Sequence, residues 1–178
     1  MPLMITGHRK IVPVGWVGSP WPDNPNVIKH HEQIVNILAS SCYTFSNVTQ
    51  DSTFITGMAI GADQLFASAV LSLKQRGLLC NLIAAVPFKG QESKWPQKSK
   101  NLYYSILECC DMVQYVSEPG YEAWKMQRRN EWMVDRATSV IALWDGSSGG
   151  TRSCAEYAKR QGKEIHILNP QSLEFSKW

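Results

Sequence analysis

Ser139 to Glu156, S-V-I-A-L-W-D-G-S-S-G-G-T-R-S-C-A-E, is the stretch of this chain richest in residues able to do chemistry. Asp145, Gly146, Ser147, Ser148, Gly149 and Gly150 spell a glycine loop, and Thr151 stands where a helix N-cap belongs. The chemistry of that pattern is anion binding. Backbone N–H groups of Gly150, Thr151 and Arg152 would donate at the positive end of a helix dipole, and the Thr151 hydroxyl adds a further donor. An ordinary tight strand-to-helix turn is the competing account of a glycine pair. A second small-residue loop, Thr56 to Asp63, offers Gly57, Ala59 and Gly61 at another helix start, where a larger side chain would block a ligand. Asp63 there either binds a ribose hydroxyl or complements the helix dipole.

Thr6-Gly7-His8-Arg9 adds an arginine suited to phosphate and a histidine that either donates to a ligand or holds its own loop. Arg129 shares a helical face with Trp132 and Met133, at i+3 and i+4, which sets it apart from a solvated charge. Arg128 can instead stack on Trp124 or Trp132, and Asn130 serves a ligand or a loop. Trp95, Tyr121 and Trp144 are aromatics able to stack on a base, with core packing as the alternative for each. If the site is catalytic, its acid–base groups come from Glu131, Asp145 and Glu156, with Arg129 beside them.

The elements that must position these residues alternate. Leu3-Met4-Ile5, Thr53-Phe54-Ile55, Leu78 to Val86, Met112 to Val116, Val140 to Trp144 and Glu164 to Leu168 read as strands, several of them continuous apolar runs. Helices are expected over 27–38, from about 65 to Gly77, over 102–109, over 122–137 and over 152–161, the last closed by Gly162. The breaker-rich segment with Pro13, Gly15, Gly18, Pro20, Pro22 and Pro25 reads as an irregular excursion, Phe88 to Ser99 as a polar loop, and 169–178 as a tail. This alternation predicts an α/β fold: one Rossmann-like, doubly wound domain over 1–178, core about 3–168, with a mainly parallel sheet. Four motif-bearing strand ends, at Thr6–Arg9, Gly57–Asp63, Pro87-Phe88 and Asp145–Thr151, then converge on the carboxyl edge, where such sheets bind ligands.

Composition narrows the class of function. The chain has 178 residues, 44% hydrophobic and 19% charged, a soluble globular balance. Net charge of +3 suits a phosphorylated small molecule. No basic stripe exceeds Arg128-Arg129, so nucleic acid is not an expected partner. No apolar run approaches the ~18 residues of a membrane span, and no secretory leader is read at the N-terminus. Five cysteines without a C-x-x-C pair point to reduced thiols in a cytoplasm. His30-His31 and Cys109-Cys110 are adjacent pairs that point to different sides of a helix, so no metal is assigned, and no cofactor is expected.

The ordered set T-G-H-R, T-G-M-A-I-G-A-D, V-P-F, Y-E-A-W-K-M-Q-R-R-N-E-W-M-V and W-D-G-S-S-G-G-T resembles the YpsA-like branch of the SLOG superfamily from about Met4 to Leu168. That superfamily also contains DprA DNA-processing proteins, LOG phosphoribohydrolases and nucleotide-sensing domains of immune effectors. The resemblance implies glycine loops that hold a nucleotide or nucleotide-derived ligand such as ADP-ribose, an NAD fragment or a cyclic nucleotide signal, in a sensor or a sequestering sponge. It also implies a homo-oligomer. LOG enzymes carry P-G-G-x-G-T-x-x-E with an upstream arginine, and Arg129 with Met133 is similar to their R-x-x-x-M segment. Aligning Gly150-Thr151 with the G-T pair puts Cys154 in place of the glutamate. Glu156 is rotated by about 200° around the helix, which disfavours a nucleotide N-glycosidase. DprA-like single-strand DNA binding is the second alternative.

Overall fold

The computed structural model describes residues 1–12, 24–46 and 52–178. The expected excursion lies outside them from Pro13 to Pro22, whereas its last breaker, Pro25, is the first residue of a helix. Among the described residues, seven strands form one sheet in the order β4-β3-β2-β1-β5-β6-β7. In chain order these are β1 Leu3–Gly7, β2 Ser52–Thr56, β3 Cys80–Val86, β4 Met112–Tyr115, β5 Ser139–Leu143, β6 Glu164–Leu168 and β7 Phe175–Lys177. All neighbouring pairs are parallel except β6 and β7.

The helices are α1 Pro25–Ser46, α2 Ala62–Gln75, α3 Gln97–Glu108, α4 Ala123–Arg136 and α5 Gly150–Arg160. Two apolar layers lie on either side of the sheet. One gathers Ile34 and Leu38 of α1, Phe66, Val70 and Leu73 of α2, and Tyr103 and Ile106 of α3 against Leu3, Ile5, Phe54 and Leu82. The other gathers Met133 and Val134 of α4 and Cys154 and Ala158 of α5 against Met4, Ile55, Val140 and Ala142. Every residue of β5 is buried, so its unbroken apolar run is what a strand covered on both faces requires. Each such aliphatic side chain contributes about 1.5–3 kcal/mol of burial free energy.

The chain steps outward from β1 through β2 and β3 to β4 along one side of the sheet, and β5 then returns to the other flank of β1. Chain direction across the sheet therefore reverses between β1 and β5, whose register runs from Leu3 opposite Ser139 to Gly7 opposite Leu143. The doubly wound, mainly parallel architecture matches the expectation.

Three local expectations are corrected. The tail over 169–178 contains β7, which pairs antiparallel with β6 through Leu168–Phe175 and His166–Lys177. Its three residues carry too little pattern to declare a strand, and pairing to β6 supplies what propensity lacks. Second, α3 begins at Gln97 and not near Leu102, directly after its N-cap Pro96, which disfavours helical backbone at the residue before it and so marks the start. Third, Thr151 is not the N-cap of α5. Gly149 holds that position with φ 146° and ψ −167°, a region open essentially to glycine.

Candidate functional site

The reversal between β1 and β5 opens a cleft of about 240 Å³ at the carboxyl edge, bounded by both flanking strand ends and by α4 and α5. Thr6, Gly7, His8 and Arg9 leave β1 along its floor, Ala59 and Asp63 enter from the β2–α2 side, Arg129 and Asn130 descend from α4, and Gly150 and Thr151 open α5. Ile5 and Met126 complete the lining.

Arg129 organises the site. It is 6% exposed, and its guanidinium lies 3.6 Å from the Asp63 carboxylate, itself 5% exposed. Arg129 Nη1 also donates to the Gly57 carbonyl, and Nε donates to Asn130 Oδ1 at 2.9 Å. Because arginine only donates, the Asn130 oxygen must face it, which leaves the Asn130 NH₂ for the cleft. A guanidinium has five N–H donors, more than these partners use. Asp63 Oδ2 accepts the Ala59 N–H at 3.0 Å, and Thr56 Oγ1 donates to the Asp63 carbonyl at 2.8 Å. Burial pushes the Asp63 carboxyl upward, while Arg129, the Ala59 N–H and Arg9 pull it back. Burial likewise lowers Arg129 while Asp63 pulls it back, so each member of this desolvated pair favours the charged form of the other against the cost of burial.

The small residues do a different job from the one the sequence suggests. A Cβ on Gly57 would collide with the Arg129 guanidinium and the Asp63 carboxylate. On Gly61, whose φ is 94°, it would strike the His8 and Arg9 backbone, and on Gly7 it would strike Ala62 and Leu143. Gly57 and Gly61 therefore make room for the protein's own groups, and of that loop's three small residues Ala59 alone lines the cleft. Ala62 N–H donates to the His8 carbonyl at 3.1 Å, tying the first two loops together.

At α5 the first intrahelical bond runs from Ser153 N–H to the Gly149 carbonyl, 3.1 Å. The N–H groups of Gly150, Thr151 and Arg152 precede that ladder, and two of these residues face the cleft. With Arg9, Arg129 and the helix dipole on one side and Asp63 alone on the other, the cleft is electropositive.

Other candidates stand apart. Asp145 hydrogen-bonds His8 at 2.8 Å at the rim, and its carboxyl is pulled down to about 2, first by Ser147 and then by His8. Gly146, Ser148 and Gly149 are exposed and outside the lining. Pro87 is buried beneath the β4 end, its carbonyl accepting Ser117 N–H at 3.0 Å. Arg128 faces away from the cleft and stacks over Trp124 at 5.8 Å, while Trp132 takes Arg136 at 4.1 Å. Glu131 accepts from Gln127 at 2.9 Å, and Glu156 pairs with Arg152 at 2.8 Å, so neither lines the cleft.

Of the stacking aromatics, Trp144 is 7% exposed and bonded to Ser147, Trp95 packs edge-on to Tyr103, and Tyr121 is 73% exposed against Phe88. Cys154, in the position of a LOG-type glutamate, is fully buried, and burial pushes its thiol up to about 11 despite Thr6 and Arg129. It is a neutral wall behind the site. Met126, which lines the cleft, is the i−3 neighbour of Arg129, a helical spacing that could have marked it.

A Rossmann-like sheet with an electropositive cleft at its switch point defines a class of nucleotide-binding folds. Within that class, residues 28–174 match the family model described as the YspA SLOG family (YpsA), and the chain belongs to that family. The SPbeta prophage-derived protein YoqJ of Bacillus subtilis is 32% identical over 162 residues, covering 83% of this chain and 91% of YoqJ. A UPF0398 protein of Halalkalibacterium halodurans is 29% identical over 128 residues, 68% of each chain. Among solved structures, DNA processing protein A (DprA) of Streptococcus pneumoniae superposes with a TM-score of 0.61 at 16% identity, covering 94% of this chain. DprA of Helicobacter pylori, described for its single-stranded DNA binding mode, gives 0.60 at 14% identity and covers 95% of it. This chain spans 50% and 65% of those two proteins' lengths, and at such identity the likeness shows the fold alone.

Among the described residues no helix is long and apolar enough to cross a membrane, and no group of three or more histidine, cysteine or acidic side chains is placed to hold a metal ion.

Proposed function

We propose that this protein binds a nucleotide-derived small molecule in the β1/β5 cleft and acts as a sensor or sequestering module in the cytoplasm. The observation that carries this reading is the meeting of Arg129, Asn130 and the first-turn amides of α5 in one electropositive cleft at the switch point. The phosphate lies over Gly150 and Thr151, Arg9 and Arg129 neutralise it, and ribose hydroxyls reach Asp63 or His8. ADP-ribose, NAD fragments and cyclic nucleotides share that chemistry. The positions of the carboxylates support binding over turnover. Asp145 is held ionised at the rim and Glu131 and Glu156 are engaged elsewhere, which leaves the hydrolase reading without the acid–base group it named. A homo-oligomer belongs to the same proposal.

The test incubates purified protein with AMP, NAD, ADP-ribose and cyclic ADP-ribose isomers, then measures free ligand before and after heat denaturation. Ligand that disappears and returns intact is the expected result; recovery as base plus ribose phosphate would establish an enzyme. The second reading is single-stranded DNA binding, favoured by the likeness to the Helicobacter pylori protein. It requires an affinity for oligonucleotides that falls steeply with salt, and a flat salt response excludes it.

A further inference from the structure

We infer that Gln91, in the loop after β3, is a positioning residue that sets the cleft wall by holding Met58 in a left-handed conformation. The inference rests on the reading of the cleft as a ligand site. Met58 has φ 57°, a conformation that a residue with a Cβ adopts only when its surroundings impose it. Its neighbours on both sides belong to the site: the Gly57 carbonyl accepts from Arg129, and the Ala59 N–H donates to Asp63. The turn at Met58 aims those two peptide groups in their separate directions. Relaxing φ to a negative value rotates both, removing a partner from the buried cation and another from the buried anion.

Three contacts impose the turn. The Met58 side chain is fully buried in the layer under α1–α3. Its N–H donates to Thr56 Oγ1 at 3.3 Å, and its carbonyl accepts from Gln91 Nε2 at 3.3 Å. Gln91 comes from a segment that does not line the cleft, and it is 7% exposed. It also lies close enough to Tyr103 of α3 to act on that hydroxyl, while its Oε1 is buried without a partner among the described residues. A buried orphan acceptor is a cost that methionine or leucine of similar volume would avoid. What the amide supplies and those residues lack is a donor aimed at Met58.

Gln91→Met keeps the volume and removes the donor. Gln91→Glu restores a donor only when its carboxyl is protonated, and burial brings that titration upward into the accessible range. Tyr103 beside it, and the Glu92, Tyr104 and Tyr115 that act on Tyr103, are ionisable, and wild-type protein at each pH controls for them. Backbone hydrogen exchange over residues 57–61, measured without ligand, and affinity for AMP and ADP-ribose are the two readouts. Gln91→Met is expected to raise exchange at 57–61 about tenfold and weaken affinity by a similar factor. Gln91→Glu is expected to do the same at pH 8 and return towards wild type at pH 5, a recovery that a packing role cannot produce. Exchange equal to wild type in Gln91→Met, or raised exchange with unchanged affinity, overturns the inference. Should Gln91→Met fail to fold, the pH 8 to pH 5 comparison within Gln91→Glu decides, and no recovery counts against it. Should wild-type protein bind neither nucleotide, the ligand-site reading falls, while exchange at 57–61 still judges whether Gln91 holds Met58.

Discussion

The chemistry of the site turns on two buried side chains, Arg129 and Asp63, that lie 72 and 6 residues from the glycine whose missing Cβ gives them room. Their separation of 3.6 Å is an ion-pair distance, and each also hydrogen-bonds a peptide group of the loop between β2 and α2. Removing one partner leaves an uncompensated buried charge, which costs about 3–5 kcal/mol. Arg129→Met and Asp63→Asn should each destabilise by roughly that amount, whereas the double variant should lose clearly less than their sum. Urea denaturation of the four proteins measures this, and strictly additive losses would show that the two charges do not depend on each other. Glycine at 57 is legible in the sequence, but its purpose is not. It reads as an opening for a ligand because spacing records the absent side chain and not what fills the gap.

At the scale of elements, α5 is the part whose role sequence and structure describe most alike. Strand, glycine loop and helix follow in order, and the loop delivers the helix N-terminus to the cleft. Only the cap differs: Gly149 supplies a backbone conformation closed to threonine, so Thr151 moves into the first turn, 8% exposed, facing the site. A Cβ at Gly150 meets open space. Gly150→Asp should therefore keep or raise thermal stability, by about 0.3–1 kcal/mol from the helix dipole, while its carboxylate excludes a phosphate. Affinity for a phosphorylated ligand is expected to fall at least tenfold by calorimetry. A stable Gly150→Asp protein that binds as wild type would place the phosphate somewhere else.

For the whole molecule, the histidines set the response to mild acid. Burial lowers the imidazoles of His31 and His166, against the pull of the Ile11 carbonyl and of Glu164 respectively. His166 is stacked on Phe45 with ring centroids 3.7 Å apart, and 6% exposed. A folded-state pKa below the unfolded value means that the unfolded chain takes up protons first as pH falls. The stabilisation these neutral rings provide is complete above the unfolded value of 6.5 and declines as pH drops below it. Midpoints of unfolding between pH 7.5 and 5.0 should fall for wild type, and fall less for His166→Phe, which preserves the stack without the titration. Equal slopes would remove His166 from the account. Asp145 acts in a separate window, because its carboxyl, held at about 2, gives up its stabilisation only below the ordinary carboxylate range.

Apolar runs, glycine punctuation and the alternation of strand with helix determined the doubly wound class, the order of the elements and the strand ends that carry the site. These are local features, set by backbone sterics and by which faces must leave water. The tertiary structure alone decided which strand ends meet. Thr6–Arg9, Asp63 and Arg129 share a cleft because β5 packs beside β1, while Pro87, equally placed at a strand end, is buried on the far side of β2. Arg128 and Arg129 are neighbours in the chain, yet one stacks on Trp124 outside and the other pairs with Asp63 inside. One residue turns the helix by about 100°, and only the position of the neighbouring sheet says which of two adjacent arginines is the one turned inward.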